Sequence, residues 1–129
     1  MTESELIGLW VTARWHIIVS QFAPTFLLAG VVGLSLVGLA EAPLSVRVAT
    51  AGILLASGMF GAAAQLSAAN ESLAVIADLR ALAAVSEVST AGLCIIASAR
   101  GVNVVRYGAP AIFVIVFLAL LTDLFVSVA

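Results

Sequence analysis

From Ile17 to Ala40 the chain runs 24 residues without a charged side chain, and from Val48 to Asn70 it runs another 23. At 1.5 Å of rise per residue, an α-helix of either length covers the roughly 30 Å hydrocarbon core of a bilayer. Of the 129 residues 64% are hydrophobic and only 9% charged, too few charges to cover the surface of a water-soluble domain. The pattern predicts an all-α integral membrane protein, with residues 1–129 forming one transmembrane domain.

Thr2-Glu3-Ser4-Glu5 has the spacing of a capping box, with Thr2 as N-cap and Glu5 reaching back to it. Leu6, Leu9, Trp10, Ala13 and Ile17 then recur at helical spacing. Trp10, Arg14 and Trp15 combine amphipathic rings with a cation at the edge of an apolar run, the composition of a membrane–water boundary. Residues 3–16 are therefore expected to form an interfacial amphipathic helix that feeds a first membrane helix over about 17–39. Pro24 should kink that helix. The N-terminus lacks the basic residues of a cleaved signal peptide, so the first helix is expected to be retained.

Glu41-Ala-Pro43 should end the first membrane helix. From Val48 to Ala99 there is no proline, and a straight helix of that length would measure roughly 78 Å, more than a bilayer holds. A turn is expected where polar residues cluster, at Ser67–Ser72 around Asn70-Glu71. That gives a second helix over about 48–68 and a third over 72–99. Arg100–Arg106 reads as the next connection, and a fourth helix over 109–127 starts with Pro110 in its first turn. The predicted architecture is a four-helix membrane bundle. Val46-Arg47 and Val105-Arg106 each precede an expected helix, as a duplicated hairpin would give. With both termini on one side, Arg47, Arg100 and Arg106 stand against Arg14 and Arg80, which favours external termini.

The second helix is rich in small residues. Ser57 with Gly61, and Gly58 with Ala62, have small-xxx-small spacing, and the first helix carries Ala29 and Gly33. Such residues let helices approach closely in lipid. The fourth helix, Ile112 to Leu118, is uniformly bulky and is expected on the outside, facing lipid or a larger protein.

Glu87 is the one candidate intramembrane polar site. On the expected third helix it shares a face with Ser86, Thr90, Ala91, Cys94 and Ser98. It could carry a proton or cation, stabilise the bundle through hydrogen bonds, or sit at the headgroup edge. Asp123 belongs at the boundary, and Gln65 and Asn70 either bond between helices or solvate the turn. Cys94 reads as a small residue packed between helices. His16 is the only histidine, with no carboxylate at i+3 or i+4, so no zinc, haem or iron–sulfur ligand set and no Ser/His/Asp triad is readable. Neither a phosphate-binding loop nor a basic cluster for nucleic acid occurs. A non-catalytic protein without a cofactor is expected, with membrane lipids and a larger membrane complex as partners.

All five basic residues are Arg, and Ala, Val, Leu and Gly abound, which fits a GC-rich bacterial genome and a plasma-membrane location. In length the chain resembles small multidrug-resistance transporters and fluoride channels, without the first-helix Glu of the former or the Phe/Thr/Ser filter of the latter. In its Lys-free, Ala/Val-rich composition, its Thr2-Glu-Ser-Glu5 start and its four-span plan it resembles the small four-helix accessory subunits of actinobacterial MCE-type lipid importers. That resemblance implies a permease partner and a role in fatty-acid or other lipid import, with no catalytic residues to carry over. An accessory subunit of a respiratory-chain complex, or an oligomeric proton-coupled transporter using Glu87, are the alternatives.

Overall fold

Thr2 opens the first helix, α1 (Glu3–Ser20), as the N-cap. Its hydroxyl accepts from the Glu5 N–H at 3.3 Å, and the Glu5 carboxylate accepts from the Thr2 N–H at 2.8 Å. These bonds with Thr2 hold the Glu5 carboxyl below its ordinary pKa. The chain is described here over residues 1–126 by a computed structural model. The expected effect of Pro24 appears one turn before it. A proline ring clashes with the carbonyl four residues back and offers it no N–H. That carbonyl belongs to Ser20, and the helix breaks at Gln21 before resuming as α2 (Phe22–Leu36).

A tight connection follows. Gly38 adopts φ +100, a left-handed conformation open to glycine at little cost, and a 3-10 turn over Leu39–Glu41 leads to Pro43. Arg47 fastens this end: its guanidinium donates to the carbonyl of Ala42 at 3.0 Å and to that of Leu124 at 2.8 Å.

The next helix, α3, runs uninterrupted from Leu44 to Val85. The turn expected at Ser67–Ser72 is absent, and with it the separation into helices 48–68 and 72–99. Asn70 and Glu71 lie on the exposed side, whereas Ala68, Ala69 and Ser72 face inward. The Ser72 hydroxyl donates to the Ala68 carbonyl at 3.0 Å, satisfied within the helix. The polar cluster is thus the solvated face of a continuous helix. The length limit that required a turn applies only to a helix wholly inside a bilayer. Here 42 residues, about 63 Å, extend from an uncharged half into a charged one.

The chain turns instead at residues 86–89. Ser89 caps the short α4 (Thr90–Ala97), accepting from the Gly92 N–H at 3.2 Å. The Glu3 carboxylate accepts from the Ser89 N–H at 2.8 Å and from its hydroxyl, joining this turn to the start of α1. A slight break at Ser98 leads into α5 (Ala99–Phe125). The expected connection Arg100–Arg106 is therefore helical, and Pro110 lies inside a helix, removing only the bond to the Arg106 carbonyl. The expected helix end at residue 127 lies outside the described residues. Arg47 sits in the first turn of α3 and Arg106 well inside α5, so the two Val-Arg pairs do not occupy equivalent places.

The result is three long arms, Glu3–Leu36, Leu44–Val85 and Thr90–Phe125, each long and apolar enough to cross a membrane. They replace the four expected helices. The N-terminus and the end of α5 lie at opposite ends of the molecule. Central α3 packs against every other helix. Two cores lie along it. At the charged end Leu6, Val75, Ile76, Leu79 and Ile95 form a cluster, and at the uncharged end Val31, Leu54 and Leu120 form another.

Candidate functional site

Gln65 lies between the two cores, and it is only 2% exposed. A buried amide must find partners or lose the water it gave up. Its Oε1 accepts from the Gln21 side-chain amide, and its own amide donates to the Val105 carbonyl at 2.7 Å. All three arms are thereby joined at one level, where the break before Pro24 has left Gln21 free to turn inward. The sequence reading allowed Gln65 a bond between helices without singling it out. The signal available was an amide eighteen positions from the next charge on one side, in an otherwise apolar run.

Directly beside Gln65, small residues do what their spacing predicts. The Phe113 ring occupies the space a side chain at Gly58 would need, and the Pro24 ring lies 2.6 Å from where a Cβ on Gly61 would stand. Ser57 and Ala62 are half-buried on the same helix. Ala29 and Gly33 differ. Both are exposed, and a Cβ on Gly33 would meet nothing within 4 Å. The bulky fourth segment is also only partly outer. Phe113, Leu120 and Leu124 turn inward, while Ile112, Val114, Ile115 and Leu118 are exposed.

Glu87 is not within a helix. With α3 unbroken to Val85, the turn falls on Glu87 itself, which is exposed at the charged end, one residue past the C-cap Ser86. The stripe it was expected to share with Thr90, Cys94 and Ser98 therefore does not form, because the extended segment resets the helical phase. Cys94 is exposed on α4 rather than packed between helices, the inward face being taken by Gly92 and Ile95.

The interfacial trio separates into two environments. The Arg14 guanidinium lies over the Trp10 ring at 5.2 Å from its centre. Trp15, 61% exposed, lies on the other side of α1. There it lines a shallow cavity with His16, Ser67 and Glu71, and His16 and Glu71 approach to 4.0 Å. Both are well exposed, so this pair contributes little.

Below Gln21, α1 and α5 diverge. Both helices pack mainly against α3 and hardly against each other. A crevice of about 570 Å³ opens between them, lined by Trp10, Arg14, Ile17 and Ile18 on α1, Ser72 on α3, and Ser98, Val102 and Val105 at the start of the last arm. Its lower rim is polar and its upper walls are apolar. Among the described residues no group of three or more His, Cys, Asp or Glu side chains could hold a metal ion. In comparisons with known proteins, no family model, curated protein or solved structure matches the chain.

Proposed function

We propose that this chain is a non-catalytic subunit of a larger complex in a bacterial plasma membrane, with three membrane spans and a cytoplasmic helical base. One observation carries the reading: one half of the bundle exposes an almost purely apolar surface, and the other carries nearly all the charged side chains. Around the uncharged half, Phe26, Ile53, Phe60, Ile115 and Leu118 point outward, Phe60 with 77% of its surface free. In water such a surface is strongly unfavourable, at about 25 cal/mol per Å² of apolar area. In lipid it is neutral, and close packing such as Gly58 against Phe113 holds the helices together. Around the charged half, charged side chains join exposed apolar ones such as Val11, Val85 and Leu93 on the surface, over an apolar core. Leu6, Ile76 and Leu79 are inside, while Glu5, Glu71, Asp78, Arg80 and Arg100 are exposed.

The boundaries agree with a bilayer. Arg47 and Asp123 stand near one edge, Glu71 and Arg106 near the other. On α3 the charges are 24 positions apart, about 36 Å, and on α5 17 positions, about 26 Å. These bracket the roughly 30 Å core. Four arginines, Arg14, Arg80, Arg100 and Arg106, fall on the side of the base and only Arg47 on the other, so the base and N-terminus are cytoplasmic. This reverses the orientation expected from four spans.

A partner is supported by α2. Ala29 and Gly33 are one turn apart, exposed, and unfilled by the chain's own helices, the surface on which another membrane helix can pack. The choice of a lipid importer as that partner rests on the Lys-free composition and the Thr2–Glu5 start. The four-span part of that resemblance is lost. Glu87, exposed in the turn of the base, gives a proton-carrier reading no support.

Purification in mild detergent followed by mass spectrometry tests the proposal. A permease and ATPase should co-purify, and Gly33→Trp should release them while leaving the chain in the membrane. Recovery with oxidases would move the subunit to a respiratory complex. Recovery only as a free chain or homodimer would sink the subunit reading.

A further inference from the structure

We propose that the crevice between α1 and α5 holds one anionic phospholipid, its phosphate at Arg14 and Trp10 and the upper part of an acyl chain against Ile17, Ile18, Val102 and Val105. This rests on the membrane reading of the uncharged half and deepens it.

The polar groups of the crevice lie at one level. Arg14, Ser72 and Ser98 are each seven positions from Gln21, Gln65 and Val105, the three residues joined at the centre of the bundle. Seven residues are about 10 Å of helix. The polar rim therefore stands about 10 Å below the Gln65 level, on the cytoplasmic side, level with Glu71, which marks that bilayer edge on α3.

Two donors there lack acceptors. Arg14 makes no ion pair or hydrogen bond among the described residues; its guanidinium only covers the Trp10 ring. The Trp10 indole N–H is buried with no partner. A buried donor without an acceptor costs about 1–3 kcal/mol, so an acceptor that draws the Arg14 guanidinium off the Trp10 ring and reaches the indole N–H gains more there than at an open surface. The Ser72 and Ser98 hydroxyls already donate to backbone carbonyls, at 3.0 and 2.6 Å, and keep lone pairs rather than donors for a visitor. No carboxylate lines the crevice. One fixed cation and one indole N–H with no competing acid match a phosphodiester, whose unesterified oxygens are acceptors only.

Above the rim the lining turns apolar. Ile17 and Ile18 face Val102 and Val105, and Gln21 closes the top. A chain entering between α1 and α5 would follow these walls toward the membrane centre. The narrow slot and single cation favour one lipid with one chain inserted and the other left in the bilayer.

The experiment uses the full chain in nanodiscs of phosphatidylcholine doped with phosphatidylglycerol, read by native mass spectrometry after release, beside carbonate extraction of cell membranes. The expected result is one phosphatidylglycerol retained per chain. Retention should fall about tenfold in Arg14→Gln, the loss of one charge-assisted hydrogen bond. It should also fall in Val102→Trp, which fills the slot, with helicity by circular dichroism unchanged. Equal retention of phosphatidylcholine, or of phosphatidylglycerol by both variants, would overturn the site while the membrane reading stands. Displacement of the retained lipid by inorganic phosphate would assign the rim to a free anion and overturn it too. If the chain washes off in carbonate, the membrane reading fails and the lipid site with it.

Discussion

The Gln65 side-chain amide donates to the Val105 carbonyl at 2.7 Å, across forty residues of sequence and from the second arm to the third. The same side chain accepts from Gln21 on the first arm. Removing it strands two polar groups in the middle of the bundle. Gln65→Ala should destabilise the fold by about 1–3 kcal/mol. Gln21→Leu combined with Gln65→Leu should cost less than the sum of the single changes, since partners removed together leave fewer unsatisfied groups. Unfolding in mixed micelles with increasing denaturing detergent measures both. Strict additivity would mean that the bridge is not made.

Gly58→Ala puts a methyl group where the Phe113 ring lies. Overpacking of this kind costs about 1–3 kcal/mol, and in a Phe113→Ala background the same Gly58→Ala change should cost less than it does alone. Gly33→Ala is the control, because a Cβ there meets nothing within 4 Å. In the isolated chain it should not lower stability and should raise it by up to about 1 kcal/mol through helix propensity. If the two substitutions weaken the chain equally, the contact between α3 and α5 is misassigned.

Much of this architecture was readable from residue order, and the errors in helix boundaries share one cause. The capping box of Thr2 and Glu5, the break ahead of Pro24 and the turn at 37–43 are local, each fixed by residues within a few positions. Of the pairs Ser57 with Gly61 and Gly58 with Ala62, the two glycines lie against the rings of Pro24 and Phe113. The turn at Ser67–Ser72 failed because a cluster of polar residues was weighed without its phase. Ala68, Ala69 and Ser72 lie on one side of α3, Asn70 and Glu71 on the other, the pattern of a helix leaving an apolar surrounding for water. That misplacement carried Glu87 into a helix interior and Arg100 and Arg106 into a loop. Ala29 and Gly33 failed for another reason: small residues mark where a helix can pack, not which helix packs there. The crevice beside Arg14 was out of reach, because it arises from the divergence of α1 and α5, set by contacts distant in sequence.

Cys94, exposed on α4 in the charged half, reports sidedness. A membrane-impermeant maleimide should label it in inside-out vesicles and leave it unlabelled in intact spheroplasts. In a Cys94→Ser background, Glu87→Cys should behave the same way. Labelling of either from the outside would reverse the orientation given by the arginines. By the same placement, Glu87→Gln should keep full function in cells.

The Glu5 carboxyl is held below its ordinary pKa by its bonds with Thr2. A depressed folded-state pKa contributes stability that is complete above the unfolded value and is lost as pH falls through the folded one. Acidification from neutral pH to below the ordinary carboxylate range should therefore loosen the first turn of α1. Hydrogen exchange at the amides of residues 4–6, corrected for its intrinsic pH dependence, should show falling protection. Thr2→Ala removes the hydroxyl but keeps the backbone N–H that acts most on Glu5, so it should raise the exchange baseline and weaken that pH dependence without abolishing it. Protection that is flat with pH in the unsubstituted chain would contradict the cap.

α3 has no joint along its 42 residues. Its two neighbouring arms each break once, at Gln21 and at Ser98. A twist imposed on the base at Leu79 is therefore delivered undiminished to Leu54, while the arms beside it can absorb the same motion at their breaks. The molecule is built like a driveshaft between two jointed struts, and torque applied at the charged end has one unbroken helical path to the uncharged one.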